Sequence, residues 1–218
     1  MSGVTHDYMT NYIRTLIKEE VGILKELEDF AEKEHIPIVQ KEVGNFLKFM
    51  VSFQKPQKIL ELGTAIGYSA ILMSIASNNK SKITTIERDK KMIDIAKSNI
   101  IKYNFQDKIN ILEGDCLEVL SNLDDKYDMI FMDAGKGHYS EFFPHCMRLL
   151  NPKGIIIADN VLFRGMVAND ELVERRKITI VKRMRSYLDM ISKDKNLITS
   201  VIPMGDGIAI TTRRETDA

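Results

Sequence analysis

The sequence has little of several features that would assign its class at once. It contains two cysteines, Cys116 and Cys146, among 218 residues, which argues against a disulfide framework and predicts reduced thiols. Lys plus Arg equal Asp plus Glu at 31 each, so net charge favours neither a nucleic acid nor a membrane as partner. We find no apolar run of membrane-spanning length and no signal-peptide pattern. We therefore expect a soluble, cytoplasmic protein.

The apolar residues that are present change their spacing near residue 55. Before that point they recur at helical intervals, as Leu24, Leu27 and Phe30 do, and Pro37 interrupts the helical pattern. The apolar content of 44% is enough for a buried core. We predict a single domain over residues 1–218, with residues 1–55 as a helical N-terminal cover.

From Lys58 onward, short apolar runs alternate with amphipathic stretches. Five predicted strands, each followed by a helix-compatible segment, are 58–62, 82–86, 109–112, 128–132 and 154–158. This alternation predicts an α/β fold with a mainly parallel sheet and right-handed crossovers. A long amphipathic helix should follow around residues 178–191. The runs 197–202 and 207–212, separated by Pro and Gly, predict a C-terminal antiparallel hairpin and bring the strand count to seven.

Three of the predicted strands end in polar residues suited to a ligand. A glycine-containing loop follows the first strand, Glu87 ends the second, and Asp115 and Cys116 follow the third. The loop lacks the G-x-G-x-x-G spacing, so a pyrophosphate is the less favoured ligand, whereas an acid at the second strand end suits ribose hydroxyls. The residues that could share one crevice are Glu61, Gly63, Ser69, Glu87 and Asp115. Alternatively, Glu87 and Asp115 only cap the helices that follow.

Two more strand ends carry Asp133 and the pair Asp159 and Asn160. Neighbouring parallel strands would bring these oxygen donors together, and such donors suit Mg²⁺, Ca²⁺ or Mn²⁺ rather than zinc. Capping of the following helices is again the alternative for both aspartates. Lys136, in a glycine-flanked loop beside Asp133, favours the metal hypothesis, because a nearby cation would favour its neutral amine and make it a general base.

Five motifs together carry a family resemblance that covers nearly the whole chain. They are Leu60–Ala70, Thr85–Arg88, Phe131–Lys136, Ala158–Phe163 and Pro203–Gly207. With them the sequence resembles the class I, cation-dependent O-methyltransferases of the catechol and caffeoyl-coenzyme A type. The resemblance implies a Rossmann-like methyltransferase fold, S-adenosylmethionine and Mg²⁺ or Mn²⁺ as cofactors, and usually a homodimer.

The resemblance also implies roles for individual residues. The metal ligands would be Asp133, Asp159 and Asn160, and Lys136 would be the catalytic base. Cofactor contacts would come from Glu87 at the ribose, Asp115 and Cys116 at the adenine, and Val39 in a closing segment; the alternative for Val39 is an apolar helix start. To these we add Glu61, Gly63 and Ser69 from the strand-end argument above, and Asp133.

Within the family the sequence is most similar to bacterial tRNA 5-hydroxyuridine methyltransferases, which implies the anticodon region of tRNA as substrate. A catechol and 5-hydroxyuridine both offer two neighbouring oxygens to an ion, so the metal site alone does not choose between them. Basic residues on and before the long helix could contact RNA phosphates, or could be a solvated helix face. They are Arg164, Arg175, Arg176, Lys177, Lys182, Arg183 and Arg185. A small phenolic substrate is the alternative, and a non-catalytic cofactor-binding protein is a further one.

Overall fold

Three helices precede the sheet, in agreement with the helical spacing of the first fifty residues. The computed structural model describes residues 4–215. Pro37 lies between the second and third helices, where its fixed φ and missing N–H prevent helix continuation. The apolar side chains of the first helix remain exposed, with Tyr8 at 70%. The helices are α1 Asp7–Leu16, α2 Ile23–Lys33 and α3 Lys41–Gln54.

Strands and helices then alternate, and all seven predicted strands are confirmed. The fifth begins at Leu150 rather than Gly154, because Leu150 pairs with Tyr127 across an irregular register. In chain order the elements are β1 Lys58–Leu62, α4 Tyr68–Ala76, β2 Lys82–Glu87, α5 Lys90–Lys102, β3 Ile109–Glu113, α6 Cys116–Asn122, β4 Tyr127–Met132, α7 Tyr139–Leu149, β5 Leu150–Ala158, α8 Ile178–Lys193, β6 Leu197–Ile202 and β7 Ile208–Arg213.

The seven strands form one sheet in the order β3-β2-β1-β4-β5-β7-β6. The first five strands are parallel, and β7 runs antiparallel between β5 and β6. The predicted hairpin is therefore confirmed, and its second strand lies beside β5. Consecutive connections reverse direction between β1 and β4, which is where open α/β sheets bind ligands, at the carboxyl ends of their strands.

Helices cover both faces of the sheet. On one face, Ile59 and Met129 pack with α2, α3 and α4 in one buried cluster. On the other face, Leu60 and Ile130 pack with α6, α7 and α8. Adjacent strand residues therefore enter opposite cores, as the two-residue period of a strand requires, and both faces of the central strands are apolar.

The segment between β5 and α8 was not anticipated from the sequence. It consists of three short 3₁₀ turns, at Phe163–Gly165, Asp170–Leu172 and Arg175–Lys177. Both cysteines are buried free thiols, as predicted. Within residues 4–215, no helix combines the length and the apolar character that crossing a membrane would need.

Candidate active site

The loop after β1 forms the centre of a cleft at the carboxyl edge of the sheet. Gly63 has a φ of +100°, and a Cβ at this position would lie 3.0 Å from the Ala134 Cβ and 3.1 Å from the Asp133 carbonyl oxygen. The β1 and β4 loops thus approach more closely than a side chain would allow, and only glycine fits both the conformation and the space. Gly63 borders two adjoining cavities.

Asp133 and Asp159 lie side by side in the larger cavity. Met132 pairs with Ala158 at the ends of β4 and β5, so the next residue of each strand projects at the same edge. Asn160 lines the same cavity and has a left-handed backbone, with a φ of 60° that asparagine tolerates. The three predicted metal ligands are therefore brought together.

Asp159 is buried and Asp133 is half-buried, and removal from water is unfavourable for both charged forms. Burial raises the pKa of Asp133, and the Lys136 cation opposes that rise. Burial also raises the pKa of Asp159, and the neighbouring charge of Asp133 raises it further. A divalent cation between them would offset both effects. Among the described residues no group of three or more His, Cys, Asp or Glu is arranged to hold a metal, so such an ion needs the Asn160 amide as its third ligand.

The capping alternative is wrong for both aspartates. The 3₁₀ turn after Asp133 spans Lys136–His138 with Gly135 at its N-cap, and no side chain caps it. The Asp159 side chain instead accepts a hydrogen bond from its neighbour, the Asn160 N–H, at 2.6 Å. Neither side chain is thus engaged at the start of the following helical turn.

Lys136 lines the same cavity as both aspartates and starts a 3₁₀ turn. Gly135, which precedes it, adopts φ 59° and ψ 48°, a left-handed conformation that glycine accepts without steric penalty. This conformation directs the chain so that Lys136 lies close enough to Asp133 and Asp159 to influence their titration electrostatically.

Glu87 holds the glycine-containing loop in place. Its carboxylate accepts three backbone hydrogen bonds, from Ala65 at 3.0 Å and from Arg88 and Asp89 at 2.9 Å each. Capping by Glu87 is wrong, because Asp89 caps α5 through a 3.1 Å hydrogen bond from the Met92 N–H. Glu87 borders both cavities. A residue that contacts the ribose of S-adenosylmethionine needs such a position, because the ribose lies between the adenine and the sulfonium group.

The smaller cavity is lined by Asp115 and Cys116 together with the apolar side chains of Ile86 and Phe142. Here the capping alternative is confirmed: Asp115 accepts the Leu117 N–H at 2.9 Å and caps α6. Capping does not remove Asp115 from the cavity wall. Burial raises the pKa of the Cys116 thiol to about 12, so this side chain is a neutral wall group at physiological pH.

Glu61 and Ser69 are not among the residues that border either cavity; they lie behind the loop. Glu61 is fully buried, and the Thr85 hydroxyl donates to its Oε2 at 2.6 Å. Burial raises the pKa of Glu61 to about 7, against the effect of the Ser69 and Thr85 hydroxyls. Val39, in contrast, borders the larger cavity within the segment between α2 and α3.

Several residues that border the larger cavity were not assigned to the site from the sequence. They are Gln40, Arg88, Phe163 and Asp206, whereas Arg164, which also borders this cavity, was among the predicted basic residues. Asp206 accepts a short hydrogen bond from the Arg164 N–H, and burial raises its pKa. The sequence signal for Asp206 was its place in the motif Pro203–Gly207, and the pairing of β7 with β5 brings that motif to the site.

A mainly parallel open sheet with two adjoining cavities at the carboxyl ends of its strands is the architecture in which α/β enzymes bind nucleoside cofactors. The model of the O-methyltransferase family matches residues 15–214, and the chain belongs to that family. It is an S-adenosylmethionine-dependent class I enzyme of the catechol or caffeoyl-coenzyme A type.

Three comparisons illustrate the relationship. A catechol O-methyltransferase of Niastella koreensis is 32% identical over 80% of this chain and 81% of its own. A Staphylococcus aureus crystal structure, assigned provisionally as a caffeoyl-coenzyme A O-methyltransferase, is 34% identical with a TM-score of 0.87, covering 95% of this chain and all of the other. The S-adenosylhomocysteine-bound methyltransferase PaMTH1 of Podospora anserina shares the fold, with a TM-score of 0.88 at 22% identity over 96% and 95% of the two chains.

Proposed function

We propose that the enzyme methylates one hydroxyl of a small phenolic molecule with two neighbouring oxygens, using Mg²⁺ or Mn²⁺ held by Asp133, Asp159 and Asn160. The observation that carries the proposal is the pair of carboxylates, Asp159 buried and Asp133 half-buried, that line the larger cavity together with the Asn160 amide. Without a cation, this arrangement is unfavourable. With one, the two carboxylates and the amide form a hard-oxygen site.

Each remaining group then has a defined task. When bound, the cation would supply Lewis acidity that favours ionisation of the substrate hydroxyl. Lys136 Nζ would take the hydroxyl proton. The oxygen would form a bond to the methyl carbon as the bond from that carbon to sulfur breaks, leaving S-adenosylhomocysteine. The cavity walls align the two reactants, which supplies much of the rate enhancement.

We assign the cofactor to the two cavities in one orientation. Asp115 and Cys116 would contact the adenine in the smaller cavity, and Glu87, which borders both cavities, would accept hydrogen bonds from the ribose hydroxyls. Gly63 and Asp133 would lie near the methionine end, with Glu61 and Ser69 supporting the loop from behind. Val39 would close the larger cavity.

A small molecule is the substrate class we favour, because the relatives described above are named for catechol and caffeoyl-coenzyme A. A second candidate is 5-hydroxyuridine at the wobble position of tRNA, converted to 5-methoxyuridine. Basic side chains near the cavity favour this candidate, because they could contact RNA phosphates. Arg164 lies in the cavity wall, and the exposed Arg183 donates to the Gly137 carbonyl at 3.3 Å, one residue after Lys136. Arg185 counts against an extended RNA surface, because it is bound to the Val167 and Met166 carbonyls.

Two experiments test these proposals. Replacement of Asp159 by alanine, or excess chelator, should abolish methyl transfer, and activity indifferent to both would refute the metal-dependent mechanism. The substrate is tested by comparing transfer to catechol with transfer to tRNA that carries 5-hydroxyuridine. A preference for tRNA by orders of magnitude would replace our first candidate with the second, as would loss of 5-methoxyuridine from tRNA in cells lacking the protein.

We also propose that two copies of the chain associate. The support is the apolar surface on α1, where Tyr8, Tyr12 and Leu16 are each about two-thirds exposed or more. Light scattering after gel filtration should give twice the mass of 24.9 kDa. Substitution of Tyr12 and Leu16 by serine should then yield single chains.

A further inference from the structure

The buried hydroxyl of Tyr139 joins the two strand ends that carry the aspartates. Tyr139, 1% exposed, is the first residue of α7 and points back under the cleft. Its hydroxyl oxygen lies 2.9 Å from the Met132 carbonyl oxygen and 3.0 Å from the Asp159 carbonyl oxygen. One phenol therefore contacts both the peptide that precedes Asp133 and the residue that carries the second carboxylate.

The main chain needs such a link at this point. The β4 to β5 register ends at Met132 and Ala158, and the β5 to β7 register also ends at Ala158. On the β4 side one backbone hydrogen bond continues the ladder, from the Asp159 N–H to the Met132 carbonyl at 2.9 Å, and on the β7 side the Val161 N–H donates to the Gly207 carbonyl at 2.9 Å. The Asp159 carbonyl lies past the end of the sheet, and the Tyr139 hydroxyl is a donor for it.

We infer that Tyr139 is a positioning residue: its hydroxyl fixes the spacing of Asp133 and Asp159 and so sets the affinity of the cation site. The inference rests on the proposed metal-dependent function. Side chains that orient ligands without touching the ion typically change metal affinity about 10-fold to 100-fold when they are replaced.

The chain offers a matched control in Tyr187. Its ring packs edge-on against that of Tyr139, with centroids 5.4 Å apart and an interplanar angle of 81°. It is also fully buried, but within residues 4–215 its hydroxyl has no hydrogen-bond partner. Tyr187→Phe therefore removes the same atom from the same core without removing a link between the strands.

The experiment measures Mn²⁺ binding to the wild type, Tyr139→Phe and Tyr187→Phe by electron paramagnetic resonance of the free ion. Circular dichroism confirms that each variant is folded. We expect the dissociation constant to rise about tenfold or more for Tyr139→Phe and to change by less than about twofold for Tyr187→Phe. As a second readout, the Mg²⁺ concentration for half-maximal activity should rise for Tyr139→Phe, while saturating Mg²⁺ restores most of the rate.

Three results would overturn the inference. One is unchanged Mn²⁺ affinity in Tyr139→Phe, and another is an equal loss in both variants, which would indicate a packing effect. A third is failure of Tyr139→Phe alone to fold, which would give its hydroxyl a purely structural role. Failure of the wild type to bind Mn²⁺ is distinguishable from all three, because it would refute the cation site itself, and this inference with it.

Discussion

Replacement of Glu61 by glutamine should stabilise the metal-free enzyme at alkaline pH and leave it nearly unchanged at acidic pH. Glu61 is fully buried, and burial raises its pKa from the ordinary 4.5 to about 7. Each pKa unit corresponds to about 1.4 kcal/mol, so full ionisation of this carboxyl in the folded state costs about 3 kcal/mol. The folded state therefore holds the Glu61 proton more tightly than the unfolded state does. The stability that the protonated Glu61 confers is fully present below about pH 4.5 and is lost as the pH rises through about 7.

Urea unfolding at about pH 5 and about pH 8, in excess chelator, measures this effect. At each pH the unfolding free energy of the wild type is subtracted from that of Glu61→Gln. This difference should be larger at about pH 8 than at about pH 5, by up to about 3 kcal/mol. Asp159 titrates in both proteins and its contribution largely cancels. The Glu61 charge raises the pKa of Asp133, so the variant also removes that part of the Asp133 shift, which acts in the same direction. Glu32→Gln, an exposed position on α2, serves as the control. A difference between the two proteins that is the same at both pH values would refute the reasoning.

Three further outcomes are expected. Lys136→Met should lower kcat by about a hundredfold or more with unchanged affinity for S-adenosylhomocysteine in calorimetry, whereas the exposed Lys193→Met should leave kcat unaltered; equal rates would remove Lys136 as the base. Gly135→Ala places a side chain at φ 59° and should destabilise the fold by about 1–2 kcal/mol in urea, and a variant as stable as the wild type would contradict the assigned backbone. Asp206→Ala should speed tryptic cleavage after Arg164 by about tenfold, because it removes the acceptor of the Arg164 N–H. Asp206→Asn keeps an acceptor oxygen and should be cleaved like the wild type. Equal cleavage of both variants would show that this hydrogen bond does not hold the 3₁₀ turn Phe163–Gly165 in place.

The sheet was predictable because its residues follow simple periods. Apolar runs bounded by Gly, Pro and charged residues predicted every strand, and the polar residues at their ends predicted which edge of the sheet binds ligands. Asp133, Asp159 and Asn160 come together because parallel neighbours end at the same edge. That conclusion needs only strand order, which the alternation of strands and helices largely determines.

The cavity walls were less predictable, since they depend on contacts between distant segments. Asp206 reaches the site only because β7 inserts beside β5, and Phe163 and Arg164 do so through 3₁₀ turns that carry no periodic signal. The reverse also occurred: Glu61 was expected in the crevice, yet it lies buried behind the loop. Arg185 belonged to a predicted basic surface, but its guanidinium is bound to backbone carbonyls of the preceding segment.

The position of β7 between β5 and β6 has a consequence for biosynthesis. β7 pairs with β5 through residues as late in the chain as Thr212, which lies opposite Ile155. One side of β5 therefore stays unpaired until β7 has emerged from the ribosome. Until then β5 is an unprotected edge strand, and the turn that carries Asp206 has no place to dock. Nascent chains should therefore acquire the smaller cavity, whose walls come from segments before β5, ahead of the larger one, which Asp206 helps to line. Premature termination within β6 or β7 would yield a chain that retains the loops after β1 to β4 but lacks the Asp206 side of the larger cavity.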